Sequence, residues 1–231
     1  VSNNGVGFSM LLEALNIEAD CEAIIPALNF KAWHMALVEK RMSIKLCDIN
    51  FETLNMSVET VEPLINNRTR LICLTHFSGL PCNITEISEM VAYYENKFGH
   101  KIWVVEDCAR SVGQKYEGQA VGLKTDAAVF SFHSAKLMTT LGEGGMIVTR
   151  HQSLSNKLRD IRSYGGETIW GLNYKLSEIQ ALAGSVQLRS FAKEMESRVR
   201  AGKTWIEASK NHESFFRIPE KFKGEDNIFY F

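Results

Sequence analysis

The sequence predicts an α/β fold of three layers, a mostly parallel β-sheet with helices packed on both faces. Two patterns carry this expectation. Short apolar runs of strand length alternate with amphipathic stretches of helix length from Ala23 to Val148, and strands joined through helices pair in parallel with helices covering the sheet. Polar residues stand directly after two of the buried-type runs, Asp107 and Ser131, at the strand ends where such sheets bind ligands.

Taken in order, the turn Asn3-Asn4-Gly5-Val6-Gly7 precedes a helix that continues through Leu11 to Ile17. Ala23 to Pro26 is a short apolar strand, Phe30 to Glu39 a helix, and Ile44 to Cys47 the next strand. Ser57 can cap a helix reaching Ile65, with Glu59 in its first turn, where a negative charge suits the helix dipole. Leu71 to Leu74 reads as a buried strand. Thr85 to Lys97 places Ile87, Met90, Val91 and Tyr94 on one helical face. Ile102 to Val105 is a strand ending in Glu106-Asp107, followed by strands at Ala127 to Phe130 and Met146 to Val148. From Ser177 to about Lys210 the chain reads as long helix, with Gly184 and Gly202 as points of weakness where it could break. Pro219 to Asp226 is a charged, linker-like run, and Ile228 to Phe231 reads as the first half of a strand. The natural protein is expected to extend beyond both ends. A large domain is expected over 1–190, with the long helix and the start of a small C-terminal domain over 191–231.

Composition sets the outer limits. The chain has 231 residues, 45% apolar and 23% charged, ordinary values for a globular protein with a good-sized core. Its formal net charge of −1 provides no global field for nucleic acid or an anionic membrane. No apolar run is long enough to span a bilayer. The five cysteines form no CxxC pair, which argues for a reducing, cytoplasmic setting over a disulfide framework or a zinc site. His76 and His133 lie near strand ends without further ligands at close spacing, so no metal is expected.

Two residues carry chemistry. An Asp after a buried strand, as at 107, could simply cap the next element. Lys136 supplies it with a partner. It follows the run Ala127 to Ala135 with no acid close in sequence, a setting suited to a lowered pKa and Schiff-base chemistry. Glu106, one residue before Asp107, should face the other side of the strand end. The run Gly142-Glu143-Gly144-Gly145 then enters a strand through tight backbone, and the turn at Asn3 to Gly7 opens a helix whose N-terminus can take an anion.

The stretch VVEDCARSVGQKYEGQAVGLKTDAAVFSFHSAKLMTTLGEGGMIVT (104–149) resembles the core motif of the DegT/DnrJ/EryC1/StrS family of pyridoxal-phosphate (PLP) aminotransferases of fold type I. The block GLNYKLSEIQALAGSVQL (171–188) is similar to that family too, and AIIPALNFKAWHMAL (23–37) more loosely so. The resemblance implies the large domain of an aspartate-aminotransferase-like fold, with the small C-terminal domain largely absent. It implies that Lys136 holds PLP as a Schiff base and moves the proton, and that Asp107 pairs with the pyridine N–H. Ser131 and the backbone at Asn4 and Gly5 would bind phosphate, and Phe30 would stack on the ring. Asn173 would reach the phosphate of a neighbouring subunit in a homodimer with shared active sites. The implied substrates are an amino donor, glutamate or glutamine, and a keto-sugar nucleotide.

The chain departs from the family pattern in three places. Asn3-Asn4-Gly5 replaces a Ser-Gly-Thr type turn, removing a hydroxyl donor. Arg110 stands where Gln is common, and it could face the phenolic oxygen, face a substrate carboxylate or turn away. Lys175 stands where Arg is frequent. A catalytically silent or regulatory homologue, or a relative acting on a cyclitol, is the alternative.

Overall fold

A computed structural model describes residues 1–167 and 169–210; the runs Pro219 to Asp226 and Ile228 to Phe231 lie outside the described residues. Helix α1 (Asn4–Leu15) leads into β1 (Glu22–Pro26), α2 (Lys31–Glu39), β2 (Ser43–Cys47) and the single-turn α3 (Val58–Val61). Then come β3 (Thr69–Thr75), α4 (Ile84–Phe98) and β4 (Trp103–Asp107). A short antiparallel hairpin of β5 (Lys115–Tyr116) and β6 (Gln119–Ala120) precedes β7 (Ala127–Ser131) and β8 (Gly145–Thr149). Helices α5 (Gln152–Arg162) and α6 (Glu178–Ser209) follow.

The main sheet runs β2-β1-β3-β4-β7-β8. Its first five strands are parallel, and β8 is antiparallel to β7. Side-chain alternation divides the core into two layers. On one side, Ile25, Cys73, Val105 and Val129 pack with Phe8 and Leu11 of α1, Trp33 and Leu37 of α2, and Leu154, Leu158 and Ile161 of α5. On the other, Ile24, Ile72, Leu74 and Val104 pack with Val61 of α3 and Ile87, Met90 and Val91 of α4. The three layers anticipated from the alternation of runs are therefore present.

Some local expectations are corrected. The glycine-bearing stretch Asn4 to Gly7 is the first turn of α1 rather than a turn before it, because Asn3 is the N-cap, its Oδ1 accepting from the Val6 N–H at 2.9 Å. That helix stops at Leu15, where Asn16 takes a left-handed conformation (φ 51°). The helix expected up to Ile65 gives way after one turn to a 3₁₀ turn at Glu62–Leu64, where Pro63 lies. Neither Gly184 nor Gly202 breaks α6. Both are buried, and at Gly184 a Cβ would sit 2.7 Å from Thr140 Cγ2, so that glycine marks close contact with the loop after β7. Helix α6 runs through position 190 without interruption, with Phe191 and Met195 packed against Leu137.

Candidate active site

The carboxyl ends of β1, β3, β4 and β7 lie side by side, and the loops leaving them bound a cavity of about 230 Å³. It is lined by Leu28, Asn29 and Phe30 after β1, and by Thr75, His76 and Phe77 at the end of β3. Asp107, Ala109 and Arg110 line it at and after β4, and Lys136 after β7. The strand register explains the grouping: Thr75 pairs with Asp107, and Asp107 with Val129.

Asp107 is buried at the floor of the cavity. Its Oδ1 accepts from the Ala109 N–H at 3.1 Å and the Asn4 amide at 3.4 Å. Burial pushes its carboxyl up to about 6; the Ala109 N–H, the Lys136 charge and the Asn4 amide oppose that rise without cancelling it. The groups around this acid among the described residues do not offset its burial, as expected of a group that receives a further partner from a ligand. Lys136 is part-buried, and its ammonium is pulled below the ordinary lysine range by burial and by the Arg110 charge, against the pull of Asp107. The amine and the acid therefore share one cavity and feel each other's charge. Lys136 follows a turn in which its own N–H donates to the His133 carbonyl at 2.9 Å.

The phosphate-binding candidates Ser131, Asn4 and Gly5 are not among the residues lining this cavity; they lie toward β7 and β8, joined to it through the Asn4 amide on Asp107. Ser131 closes β7 on the side of Val129 and faces the α1 layer; its register partner is Gly145. A Cβ on Gly145 would lie 2.8 Å from the Asn3 carbonyl carbon and 3.0 Å from the Asn4 nitrogen, so glycine alone lets β8 and the start of α1 approach this closely. Gly142, in the same run, has φ +115°, a conformation side chains rarely adopt. The first-turn N–H groups of Asn4 and Gly5 have no intrahelical acceptor and form an anion-attracting helix end. The Asn4 side chain is committed elsewhere: its amide donates to Val129 O (3.1 Å) and accepts from Trp33 Nε1 (2.8 Å). Trp33 in turn stacks on Phe8, ring centroids 3.8 Å apart, which locks α1 and α2 together.

Phe30 caps α2, lines the cavity and is 72% exposed. Arg110 lines the cavity as well, with its guanidinium carbon 5.8 Å from the Phe77 ring centroid; it has not turned away. Asn173 does not line the cavity. It is exposed, in a β-bridge with Ser163.

Two residues went unnoticed in the sequence. Asn29 Nδ2 and Thr75 Oγ1 are buried and have no hydrogen-bond partner among the described residues, and both residues line the cavity. Such unmade bonds cost about 1–3 kcal/mol each, tolerable at a site that a polar ligand completes. Thr75, a hydroxyl at a strand's carboxyl end, was detectable in principle; Asn29 lies in a loop whose course no local pattern fixes.

Glu106 faces the opposite layer, as alternation requires. It accepts from Thr125 Oγ1 (2.5 Å) and the Gly122 N–H (2.9 Å) and meets His76 Nε2 at 2.7 Å. Burial alone would raise its carboxyl, but His76, Thr125 and Gly122 together hold it below the usual range. The Cys82 N–H donates to His76 Nδ1 at 3.1 Å. Cys108 completes a group of potential metal ligands within 4.8 Å of one another, a cluster that sequence spacing does not reveal because His76, after β3, meets Glu106 and Cys108 from the separate segment at the end of β4. The imidazole and carboxylate are already committed, and burial pushes the Cys108 thiol up to about 11, which suits a structural polar knot.

A model of the DegT/DnrJ/EryC1/StrS aminotransferase family matches residues 1–230. The GDP-perosamine synthase of Escherichia coli O157:H7 is 34% identical over 195 residues, 81% of this chain and 52% of that one. The L-glutamine:2-deoxy-scyllo-inosose aminotransferase of Streptomyces fradiae is 31% identical over 159 residues, 69% of this chain and 36% of its own. Among solved structures, the aminotransferase from Psychrobacter cryohalolentis superposes with a TM-score of 0.87 at 26% identity, over 99% of this chain and 62% of its own. The chain spans about half the length of the curated relatives it matches.

Proposed function

Because this chain belongs to the DegT/DnrJ/EryC1/StrS aminotransferase family, we propose that it is the cofactor-binding part of an aminotransferase that passes an amino group from glutamate or glutamine to a keto-sugar nucleotide, with PLP held covalently at Lys136. The observation that carries the reading is the sharing of one cavity by Lys136 and the buried Asp107. Aminotransferases of this family use PLP, and the donor set suits it. A carboxylate whose pKa is raised awaits a cationic N–H, an amine stands on the same cavity wall, and a helix N-terminus with Ser131 beside it can take a phosphate. When bound, PLP supplies an electron sink that lets an amino group leave one carbon and later join another.

Each residue's part follows from its surroundings. Lys136, with its acidity increased by burial and by Arg110, has more free amine near neutrality than an exposed lysine, so it serves as nucleophile and then as general base and acid. Asp107 regains a full ionic partner when a pyridinium N–H faces it, and its fixing by Ala109 and Asn4 aims the carboxylate into the cavity. Asn4 therefore acts in two ways, its amide orienting Asp107 and its backbone offering a phosphate donor. Phe30 covers one face of the cavity and offers an aromatic surface to a ring.

The shared site implies a homodimer, with Asn173 reaching into the neighbouring subunit's phosphate site. Support comes from the exposed apolar residues Leu28 and Phe30 at the cavity and Trp170 and Leu172 beside Asn173. A cyclitol acceptor is the second reading, favoured by the similarity to the Streptomyces fradiae enzyme.

The test is a two-stage incubation of full-length protein with PLP. L-glutamate or L-glutamine should convert the cofactor spectrum to that of the amine form, and a panel of keto-sugar nucleotides and a ketocyclitol should then restore it while taking up nitrogen. Lys136→Ala should reduce the rate by several orders of magnitude. Failure of every donor to change the spectrum contradicts the proposal.

A further inference from the structure

Two polar atoms of cavity-lining residues have no role in the scheme above. Asn29 Nδ2 and Thr75 Oγ1 are buried and have no hydrogen-bond partner among the described residues. The other end of the Asn29 amide is committed: its Oδ1 accepts from the Phe30 N–H at 2.6 Å, which leaves the nitrogen as the end still to be matched. An amide nitrogen only donates, and a hydroxyl can donate. Two buried, unmatched donors in one cavity call for an acceptor supplied by a ligand.

The position of that acceptor follows from the strand order and from the covalent structure of PLP. Thr75 is the register partner of Asp107, so the two side chains leave the same face of the sheet on strands roughly 4.8 Å apart. Asn29 follows β1, the next strand beyond β3. The proposed phosphate donors, Ser131 and the start of α1, lie on the other side of Asp107, toward β7 and β8. On the PLP ring the nitrogen and the carbon bearing the aldehyde stand opposite each other. The phosphate arm is attached on one side of that line, and the hydroxyl oxygen and a methyl group on the other. With Asp107 facing the nitrogen, Lys136 joined at the aldehyde carbon and the phosphate toward β7 and β8, the oxygen-bearing edge faces β3 and β1.

We propose that Thr75 and Asn29 donate hydrogen bonds to the ring oxygen of PLP and so position the edge of the ring that faces away from the phosphate. This rests on the function proposed above and deepens it. The methyl group on that edge cannot accept a hydrogen bond, and the oxygen has lone pairs enough for both donors. The bond from the Phe30 N–H to Asn29 Oδ1 ties the edge contact to the aromatic side chain that covers one face of the cavity, so one loop positions the ring in two directions. Losing a single donor to this oxygen lowers affinity by about 3- to 10-fold.

The experiment measures, by equilibrium dialysis of full-length protein, the affinity for PLP and for 3-deoxypyridoxal phosphate. The analogue keeps the aldehyde, the ring nitrogen and the phosphate and lacks only the ring oxygen. Thr75→Val and Asn29→Ala should each weaken PLP binding by about 3- to 10-fold while changing affinity for the deoxy analogue by less than about 2-fold. The double variant should lose about 10- to 100-fold for PLP and keep its affinity for the analogue. A merely structural role would weaken both ligands alike. Thr75→Val keeps the shape of the side chain, so its result stands even where Asn29→Ala disturbs the loop that holds Phe30. A loss shared equally by the two ligands in Thr75→Val overturns the proposal, and so does unchanged PLP affinity in either single variant. A wild-type protein that never forms a borohydride-reducible link to PLP sinks the function reading instead, a separate and recognisable failure.

Discussion

At the scale of single residues, the site depends on an acid that is uncomfortable until a ligand arrives. The Asp107 carboxyl is raised by burial from 3.8 to about 6. Between roughly pH 4 and 6 the folded protein holds a proton that the unfolded chain has lost, so this residue's contribution is full below the unfolded value and disappears as pH rises through the folded one. The difference amounts to about 3 kcal/mol. Asp107→Asn removes the charge and keeps an oxygen for the Ala109 N–H. Without cofactor, this variant should therefore gain about 3 kcal/mol over wild type between about pH 3.5 and pH 7.5. Urea unfolding at the two pH values checks this; a constant difference between the proteins would show that Asp107 is not strained. With PLP present, the variant should lose its advantage at pH 7.5. The pair Lys136 and Asp107 was readable in the sequence because each follows a buried strand, and parallel sheets gather strand ends. Asn29 was not, and Thr75 was legible only as a hydroxyl at a strand's carboxyl end, because an unmade hydrogen bond is a fact about tertiary surroundings. The His76–Glu106 knot was half legible: alternation gave the direction of Glu106 but not its partner.

At the scale of elements, the joint between α1 and β8 holds the helix end proposed to take the phosphate. Gly145 lies against the backbone of Asn3 and Asn4, which cannot yield as a side chain would. Gly145→Ala should destabilise the protein by about 1–3 kcal/mol through overpacking and weaken PLP retention by displacing the helix N-terminus. Thermal melting and dialysis measure the two effects, and a variant with unchanged melting would show that α1 is not held as described. The glycine run was visible in the sequence, but its purpose as a contact surface was not. Helix α5 escaped notice for a different reason. Its sequence QSLSNKLRDIR is mostly polar and anchors by Leu154, Leu158 and Ile161 alone, a thin stripe that is easily passed over beside the apolar strand before it. The antiparallel direction of β8 was also hidden, since strand polarity follows from the connection and not from the residues of the strand. The loop from β7 to β8 contains Lys136, which stands at the sheet's carboxyl edge because it follows the end of β7.

At the scale of the whole molecule, the alternation of runs was enough to specify three layers, because the inner strands β1, β3, β4 and β7 are buried on both faces and helices such as α4 and α5 bury one apolar stripe. Sequence resemblance added the roles proposed for the residues, which no periodicity contains. No helix among the described residues is long and apolar enough to cross a membrane. The exposed apolar residues near the cavity and around Asn173 fit a protein that works as a pair. Asn173→Ala should lower PLP retention by about 3- to 10-fold without changing the sedimentation coefficient, and a wild-type monomer with full PLP occupancy would count against a shared site. The proposed function rests on one covalent bond. The most direct test is to load full-length protein with PLP, reduce it with borohydride, digest it and map the modified residue by mass spectrometry. The result expected is a single pyridoxyl group on Lys136, absent in Lys136→Ala; a reduced protein carrying no such group, or carrying it on another lysine, would contradict the account.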